Sequence, residues 1–192
     1  ALATELDPVT CTEALARPDS DKWLDAMKAE LEQVNSMQVR ELVKIGAAPE
    51  PELDCRWVLR KKSDGTYKAR IVARGFSQIP GVDFDRSYAP VAKTSTVRIM
   101  LALAAKLGLK VKQLDFNSAF LNAQLDKPIL AKPPKGVDDG FYWKLKRALY
   151  GLRQAPRAWY TTLRDHVLKF GLKSSLVDPS LYYCNNLYLL IY

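Results

Sequence analysis

The 192-residue sequence predicts an α+β fold, and three observations carry the prediction. Residues 56–62 and 67–74, rich in aromatic, β-branched and basic side chains, flank Ser63-Asp64-Gly65-Thr66. Asp-Gly between two such runs is a strong hairpin signal. Trp23, Met27, Leu31 and Val34, and later Leu163, Val167 and Phe170, recur at helical spacing. Residues 181–184 and 187–192 are short apolar runs on either side of Asn185-Asn186 and read as a second hairpin.

Composition narrows the class. With 48% apolar and 26% charged residues the chain can bury a core like an ordinary globular protein. No apolar run approaches the ~20 residues of a membrane span, so no membrane partner is expected. No basic region followed by an apolar core marks a secretory signal. The sequence begins at Ala1, which reads as a fragment or processed piece. Cys11, Cys55 and Cys184 are odd in number and widely separated, so they make neither a disulfide framework nor a zinc spacing. Reduced thiols and an intracellular home are expected. The net charge of +8 is uneven: residues 1–54 carry twelve acidic and five basic side chains, residues 55–192 nine acidic and twenty-four basic. A body this basic points to a polyanionic partner, nucleic acid above all.

Taken in order, residues 1–19, with Pro8 and Pro18, read as an extended arm. Asp19 or Ser20 caps a docking helix with Leu24 beside its apolar stripe. Residues 47–52 are a connector, and the hairpin follows. In its second strand Lys68, Arg70 and Val72 share one face, and Tyr67, Ala69, Ile71 and Ala73 the other. Residues 75–90 are loop, turned at Pro80-Gly81. A helix capped by Thr94 or Ser95 runs through Val97, Met100, Leu101, Ala104 and Leu107 to Gly108 and reads as mainly core. Residues 111–115 alternate as a strand that ends at Asp115, and residues 117–121 form a helical turn entered through Asn117 or Ser118. Pro128, Pro133 and Pro134 break up a short ribbon, and residues 141–145 make another strand. Pro156 suits the first turn of the helix that ends at Gly171. The last run reads as a buried strand.

Two features could carry chemistry. A carboxylate at the end of a strand followed by a tight turn can present oxygen to a hard cation, or Asp115 can simply cap that turn. Lys68 and Arg70, two residues apart on one strand face, can grip phosphate, Arg as a fork and Lys as a point charge, or form an ordinary solvated edge. His166, alone on its helix without a partner histidine or cysteine, is assigned no metal or catalytic role.

Four stretches together resemble the reverse transcriptase of copia-type retrotransposons. They are Tyr67-Lys68-Ala69-Arg70-Ile71-Val72-Ala73-Arg74-Gly75-Phe76, Tyr88-Ala89-Pro90-Val91, Leu114-Asp115-Phe116-Asn117-Ser118-Ala119-Phe120-Leu121-Asn122, and Leu149-Tyr150-Gly151-Leu152-Arg153-Gln154-Ala155-Pro156-Arg157-Ala158-Trp159-Tyr160. The likeness covers residue 20 to the end, in order. It implies right-hand polymerase fingers plus an incomplete palm, an antiparallel sheet backed by helices. Residues 1–54 would be arm and docking helix, 55–110 fingers hairpin, loop and helix, and 111–192 partial palm. It implies an RNA-directed DNA polymerase that adds deoxynucleoside triphosphates to an RNA/DNA template-primer, using two Mg²⁺ ions to neutralise charge in the transfer.

By the same resemblance Asp115 is the catalytic metal ligand, with the Phe116 carbonyl as a backbone ligand. Phe120 excludes a ribose 2′-hydroxyl, and Lys68 and Arg70 hold the triphosphate. Tyr150, Gly151 and Gln154 line the nucleotide pocket, while Arg157 and Trp159 lie toward the nucleic acid; Trp159 is equally readable as core. The family's other two aspartates follow in a Tyr-x-Asp-Asp turn, of which the sequence reaches only Tyr192. The expectation is therefore a chain inactive by itself, needing the remaining Pol regions: palm remainder, thumb and RNase H. Its expected setting is cytoplasmic and particle-associated, with or without a nuclear phase. The alternatives are a degenerate or domesticated nucleic-acid-binding remnant without catalysis, and a structural piece of a multi-domain particle.

Overall fold

The computed structural model describes residues 7–51, 53–185 and 187–192. The chain runs α1 (Cys11–Leu15), α2 (Ser20–Ser36), β1 (Arg40–Lys44), β2 (Leu53–Lys61), β3 (Tyr67–Ala73), α3 (Thr94–Leu107), β4 (Gln124–Lys132), β5 (Phe141–Arg147), α4 (Ala155–Lys169), β6 (Lys173–Ser174), β7 (Leu181–Cys184) and β8 (Leu187–Leu190). Short 3-10 turns occupy Gly75–Ser77 and Ala119–Asn122. The fold is α+β, as the sequence predicts. No described helix is long and apolar enough to cross a membrane.

A five-stranded sheet in the order β1-β5-β4-β2-β3 forms the body, taking strands from all three expected segments. The β2–β3 hairpin is antiparallel from Cys55 opposite Ala73 to Lys61 opposite Tyr67. Its alternation buries Cys55, Trp57, Leu59, Ala69, Ile71 and Ala73 and leaves Arg56, Arg60, Lys68 and Arg70 exposed. Burial also pushes the Cys55 thiol up to about 12, with the Asp54 charge adding to the effect. β4 joins β2 in parallel at Leu53 and Asp54, and β5 pairs antiparallel with both β4 and β1.

Helix α2 lies against β3, the edge strand, and buries Trp23, Met27 and Val34. The Trp23 ring meets Tyr67 edge-on at 4.6 Å. Buried Glu30 accepts the Ile71 N–H at 3.2 Å, giving the open edge of β3 a partner. Desolvation raises the Glu30 carboxyl above its ordinary value, against the pull of the Ile71 N–H, Lys68 and Arg70. A second, smaller core forms where Val167 of α4 meets Leu172 and Tyr182 beside the three-stranded sheet β6-β7-β8.

Several expectations need correction. Residues 1–6 of the expected arm lie outside the described residues, and within the rest Thr10 caps α1, so part of that arm is helical. Neither Asp19 nor Ser20 makes a side-chain cap; Asp19 accepts the Tyr67 hydroxyl at 2.7 Å instead. β1 was not expected, because Arg40-Glu41-Leu42-Val43-Lys44 holds only two apolar residues. β4 runs through Pro128 and absorbs it with a register shift between Gln124 and Ile129. Of the expected Asn185-Asn186 turn, Asn186 lies outside the described residues. β8 is half-exposed rather than buried, pairing on one side only with β7.

Helix α3 is not mainly core: it buries Thr96 and Ala104 and leaves Ile99, Leu101 and Leu107 exposed. Its cap comes from a distant residue rather than from Thr94 or Ser95. Buried Asp178 accepts the Lys93 N–H at 3.0 Å and the Thr96 hydroxyl at 2.6 Å. Burial pushes this carboxyl up, but the Thr96, Lys93 and Ser180 bonds outweigh it and hold it below its ordinary value.

Candidate nucleotide and nucleic-acid site

The segment joining β5 to α4 is clasped to the end of β3. The Ala73 N–H donates to the Tyr150 carbonyl at 2.8 Å, and Val72 and Tyr150 form a parallel bridge. Gly151 holds φ at +88°, and a Cβ there would lie 2.1 Å from the Ala73 carbonyl oxygen. Gly75 is fitted just as tightly, its Cβ position falling 2.2 Å from the Gly151 carbonyl oxygen. Glycine is required at both places by close backbone approach. Arg153 completes the clasp, its Nε donating to the Gly75 carbonyl at 3.0 Å and its backbone N–H to buried Gln78 at 2.9 Å.

This clasp sets Tyr150 between residues from two other motifs. The Arg70 guanidinium lies 5.2 Å from the centre of the Tyr150 ring, and Phe120 meets that ring at 4.9 Å with planes 62° apart. Arg70 on β3, Phe120 on the Ala119–Asn122 turn and Tyr150 before α4 thus form one stack. Leu121, fully buried, anchors the turn, and the Ala148 N–H donates to the Ala123 carbonyl at 2.8 Å. Lys68 stands exposed on the same strand face as Arg70.

The other predicted residues are less closely joined. Phe116 meets Trp159 at 5.1 Å, and Trp159 is half-buried against the main core, so it serves as packing and as part of this edge. Arg157 lies 5.8 Å from the Tyr160 ring. Gln154 stands at the cap position of α4 with its Oε1 buried and unpartnered among the described residues. His166 Nδ1 lies 2.7 Å from the Thr162 carbonyl.

The strand expected over residues 111–115 is absent: these residues are exposed coil, with Asp115 among them. Alternation gives the segment strand propensity, but among the described residues no strand runs beside it to pair its N–H and C=O groups. The turn after it does form, with Ser118 at its cap position in the left-handed region at φ 49°. No group of three His, Cys, Asp or Glu side chains that could share a metal occurs among the described residues. Asp115 supplies one carboxylate, and a two-ion site needs several anionic ligands. The donor set present therefore does not compose that site.

Clefts of about 640 and 400 Å³ open elsewhere, beside β1, β4 and β5 and beside the loop after β3, and neither is lined by a predicted site residue. Of the positioning residues, Gln78 stands in a stretch that reads as loop and Glu30 on what reads as the polar face of α2, while Arg153 lies within the Leu149–Tyr160 motif with no role assigned to it. The one signal is that Glu30 falls three residues after Met27, on the helix face that carries Trp23, Met27 and Val34.

The family model described as "Reverse transcriptase (RNA-dependent DNA polymerase)" matches residues 37–191. The chain is 37% identical to the "Retrovirus-related Pol polyprotein from transposon RE1" of Arabidopsis thaliana, with 100% of the chain and 14% of that polyprotein covered. It is 35% identical to the "Retrovirus-related Pol polyprotein from transposon TNT 1-94" of Nicotiana tabacum, over 95% of the chain and 14% of that polyprotein. The "Transposon Ty1-ER2 Gag-Pol polyprotein" of Saccharomyces cerevisiae is 30% identical over 79% of the chain and 9% of its own length. No solved structure matches. The chain thus spans a small part of each relative, and it belongs to the reverse transcriptase (RNA-dependent DNA polymerase) family, alongside the Pol polyproteins of copia-type retrotransposons.

Proposed function

We propose that this chain is the nucleotide-receiving part of an RNA-directed DNA polymerase. The reading is carried by one observation, the stack of Arg70, Tyr150 and Phe120, which joins three motifs far apart in sequence. In this reading Arg70 and Lys68 hold the triphosphate of an incoming deoxynucleotide through charge-assisted hydrogen bonds. Tyr150 and Gly151 form the wall behind the sugar, and Phe120 lies where a ribose 2′-hydroxyl would project. Residues 55–110 act as fingers and 111–192 as partial palm, with 1–54 as a docking arm. These are divisions of labour within a shared sheet rather than separate folding units.

The family's chemistry uses Mg²⁺. Asp115 and the Phe116 carbonyl are the residues that would contribute to such a site, and the remaining carboxylates would have to come from elsewhere. We therefore infer that residues 1–192 alone bind deoxynucleotide but do not extend a primer. Equilibrium dialysis of labelled dTTP against the wild-type chain and Lys68→Ala/Arg70→Ala tests the pocket. Each charge-assisted bond contributes about 1.5–3 kcal/mol, so affinity should fall at least tenfold. Equal affinity would refute the assignment. Magnesium-dependent incorporation into a primer by the isolated chain would refute its inactivity.

A further inference from the structure

We infer that nucleotide binding at Lys68 and Arg70 is coupled to proton uptake at Glu30, a positioning residue that reaches the same strand from behind. The inference rests on the reading of Lys68 and Arg70 as triphosphate ligands, and on the contact of α2 with β3 for the coupling.

Glu30 is 6% exposed and lies on the face of α2 that carries Trp23, Met27 and Val34. Its Oε1 accepts the Ile71 N–H at 3.2 Å, at the edge of the five-stranded sheet. That N–H belongs to the peptide unit joining Arg70 to Ile71, so the carboxyl meets β3 beside one of the two cations. The Ile71 side chain is fully buried on the α2 side, while Lys68 and Arg70 stand exposed on the other face. One strand thus separates a buried acid from an exposed pair of cations.

The charges around Glu30 are one-sided. The elements packed on α2 are β3 and α1. β3 presents Lys68 and Arg70, and its Tyr67 hydroxyl is given to Asp19 at 2.7 Å. On the α1 side Glu13 and Arg17 pair with each other at 2.6 Å. Along α2 the positions one turn away, Ala26, Met27, Gln33 and Val34, carry no charge. Desolvation favours the neutral acid, while the Ile71 N–H, Lys68 and Arg70 favour the carboxylate.

A triphosphate alters this balance. Bound on the outer face, it occupies the same two cations and brings several negative charges of its own. The Glu30 carboxylate loses support and gains a repulsion, both acting through protein, where charges are weakly screened. Glu30 therefore gains a proton as the nucleotide binds. Linkage is reciprocal: an ionised Glu30 weakens nucleotide binding, and a protonated Glu30 does not. This contribution to affinity falls as pH rises through the Glu30 titration.

Isothermal titration calorimetry of dTTP on the wild-type chain and Glu30→Gln, in two buffers of different protonation enthalpy, tests the coupling between pH 4.5, the ordinary value of the group, and neutrality. Glutamine copies the neutral acid and keeps an acceptor for the Ile71 N–H, and the titration of dTTP itself is common to both chains. The two chains should bind dTTP alike at the acidic end. At neutrality Glu30→Gln should bind about three- to tenfold more tightly, tenfold being a change of about one unit in the Glu30 value. Between these limits the wild type should take up more protons per nucleotide. A merely structural role would shift affinity alike at both ends. A ratio that does not vary with pH, tighter binding by the wild type at neutrality, or equal proton uptake overturns the inference. If Glu30→Gln does not fold, carbon-13 NMR of the glutamate carboxyls in the wild-type chain replaces it. A Glu30 titration moved to higher pH by dTTP is expected, and an unmoved one overturns the coupling. The Lys68→Ala/Arg70→Ala chain reports the pocket separately: lost dTTP affinity there upholds the pocket whatever Glu30 does. Retained affinity would refute the pocket itself and, with it, this route to Glu30.

Discussion

Gly151 approaches Ala73 so closely that a methyl group on its α-carbon would lie 2.1 Å from the Ala73 carbonyl oxygen. The same methyl would meet Val72 Cγ1 at 2.7 Å, and the backbone there holds φ at +88°. Gly151→Ala therefore combines steric overlap with left-handed strain, and should cost about 3 kcal/mol or displace the Tyr150 segment from β3. Urea unfolding measures the loss; a change below ~1 kcal/mol would mean that the clasp yields easily.

Arg40, Asp138 and Trp143 form a second fixed point, binding β1 to β5 through the loop before it. Asp138 Oδ2 accepts from Arg40 at 2.6 Å and from Trp143 Nε1 at 2.8 Å, while the guanidinium stacks 4.5 Å from the Trp143 ring centre. Asp138→Ala removes the only side-chain acceptor of the Trp143 indole N–H among the described residues and leaves the largely buried Arg40 guanidinium with Asn35 Oδ1 alone. A loss of about 2–4 kcal/mol is expected in urea unfolding, with a smaller loss for Asp138→Asn, which keeps an acceptor oxygen.

Glu30 makes stability depend on pH. Its folded carboxyl is raised above the ordinary value, so the folded chain holds the proton more tightly than the unfolded one. Its contribution is full below the ordinary carboxylate value of about 4.3 and is lost as pH rises through the raised folded value. Glu30→Gln keeps an acceptor for the Ile71 N–H and abolishes this loss. Unfolding free energies measured at mildly acidic and neutral pH should converge in the variant. A wild-type chain whose Glu30-dependent stability rose over that interval would contradict the burial argument.

Asp178 gives the opposite sign. Its carboxyl is held below the ordinary value, so its stabilisation is present above about 3.9 and is lost as pH falls through the folded value. Asp178→Ala removes the distant cap of α3 and should cost about 1–2 kcal/mol locally. Amide hydrogen exchange should then quicken in the first turn of α3 and remain unchanged in the β2–β3 hairpin.

The hairpin, α2 and α4 were legible because each carries its own local signal: Asp-Gly between β-rich runs, a helical stripe under Trp23, and Pro156 ahead of Leu163 and Val167. β1 was not, since its strand character comes from pairing with β5 about a hundred residues away. The reverse error occurred at residues 111–115, where alternation predicts a strand but no described neighbour completes it. Of the residues that the family resemblance assigns to the nucleotide pocket, the structure brings Arg70, Phe120 and Tyr150 together in one stack. Gln78, Arg153 and Asp178 are polar residues whose importance lies in contacts that no local pattern encodes.

The most direct measurement of the proposed pocket compares dTTP with its 2′-hydroxyl counterpart on the wild-type chain and on Phe120→Ala. The wild-type chain should prefer dTTP clearly, through packing of Phe120 against Tyr150, and most of that preference should be lost when Phe120 is truncated. Equal binding of the two nucleotides by the wild-type chain, or a preference untouched in Phe120→Ala, would contradict it.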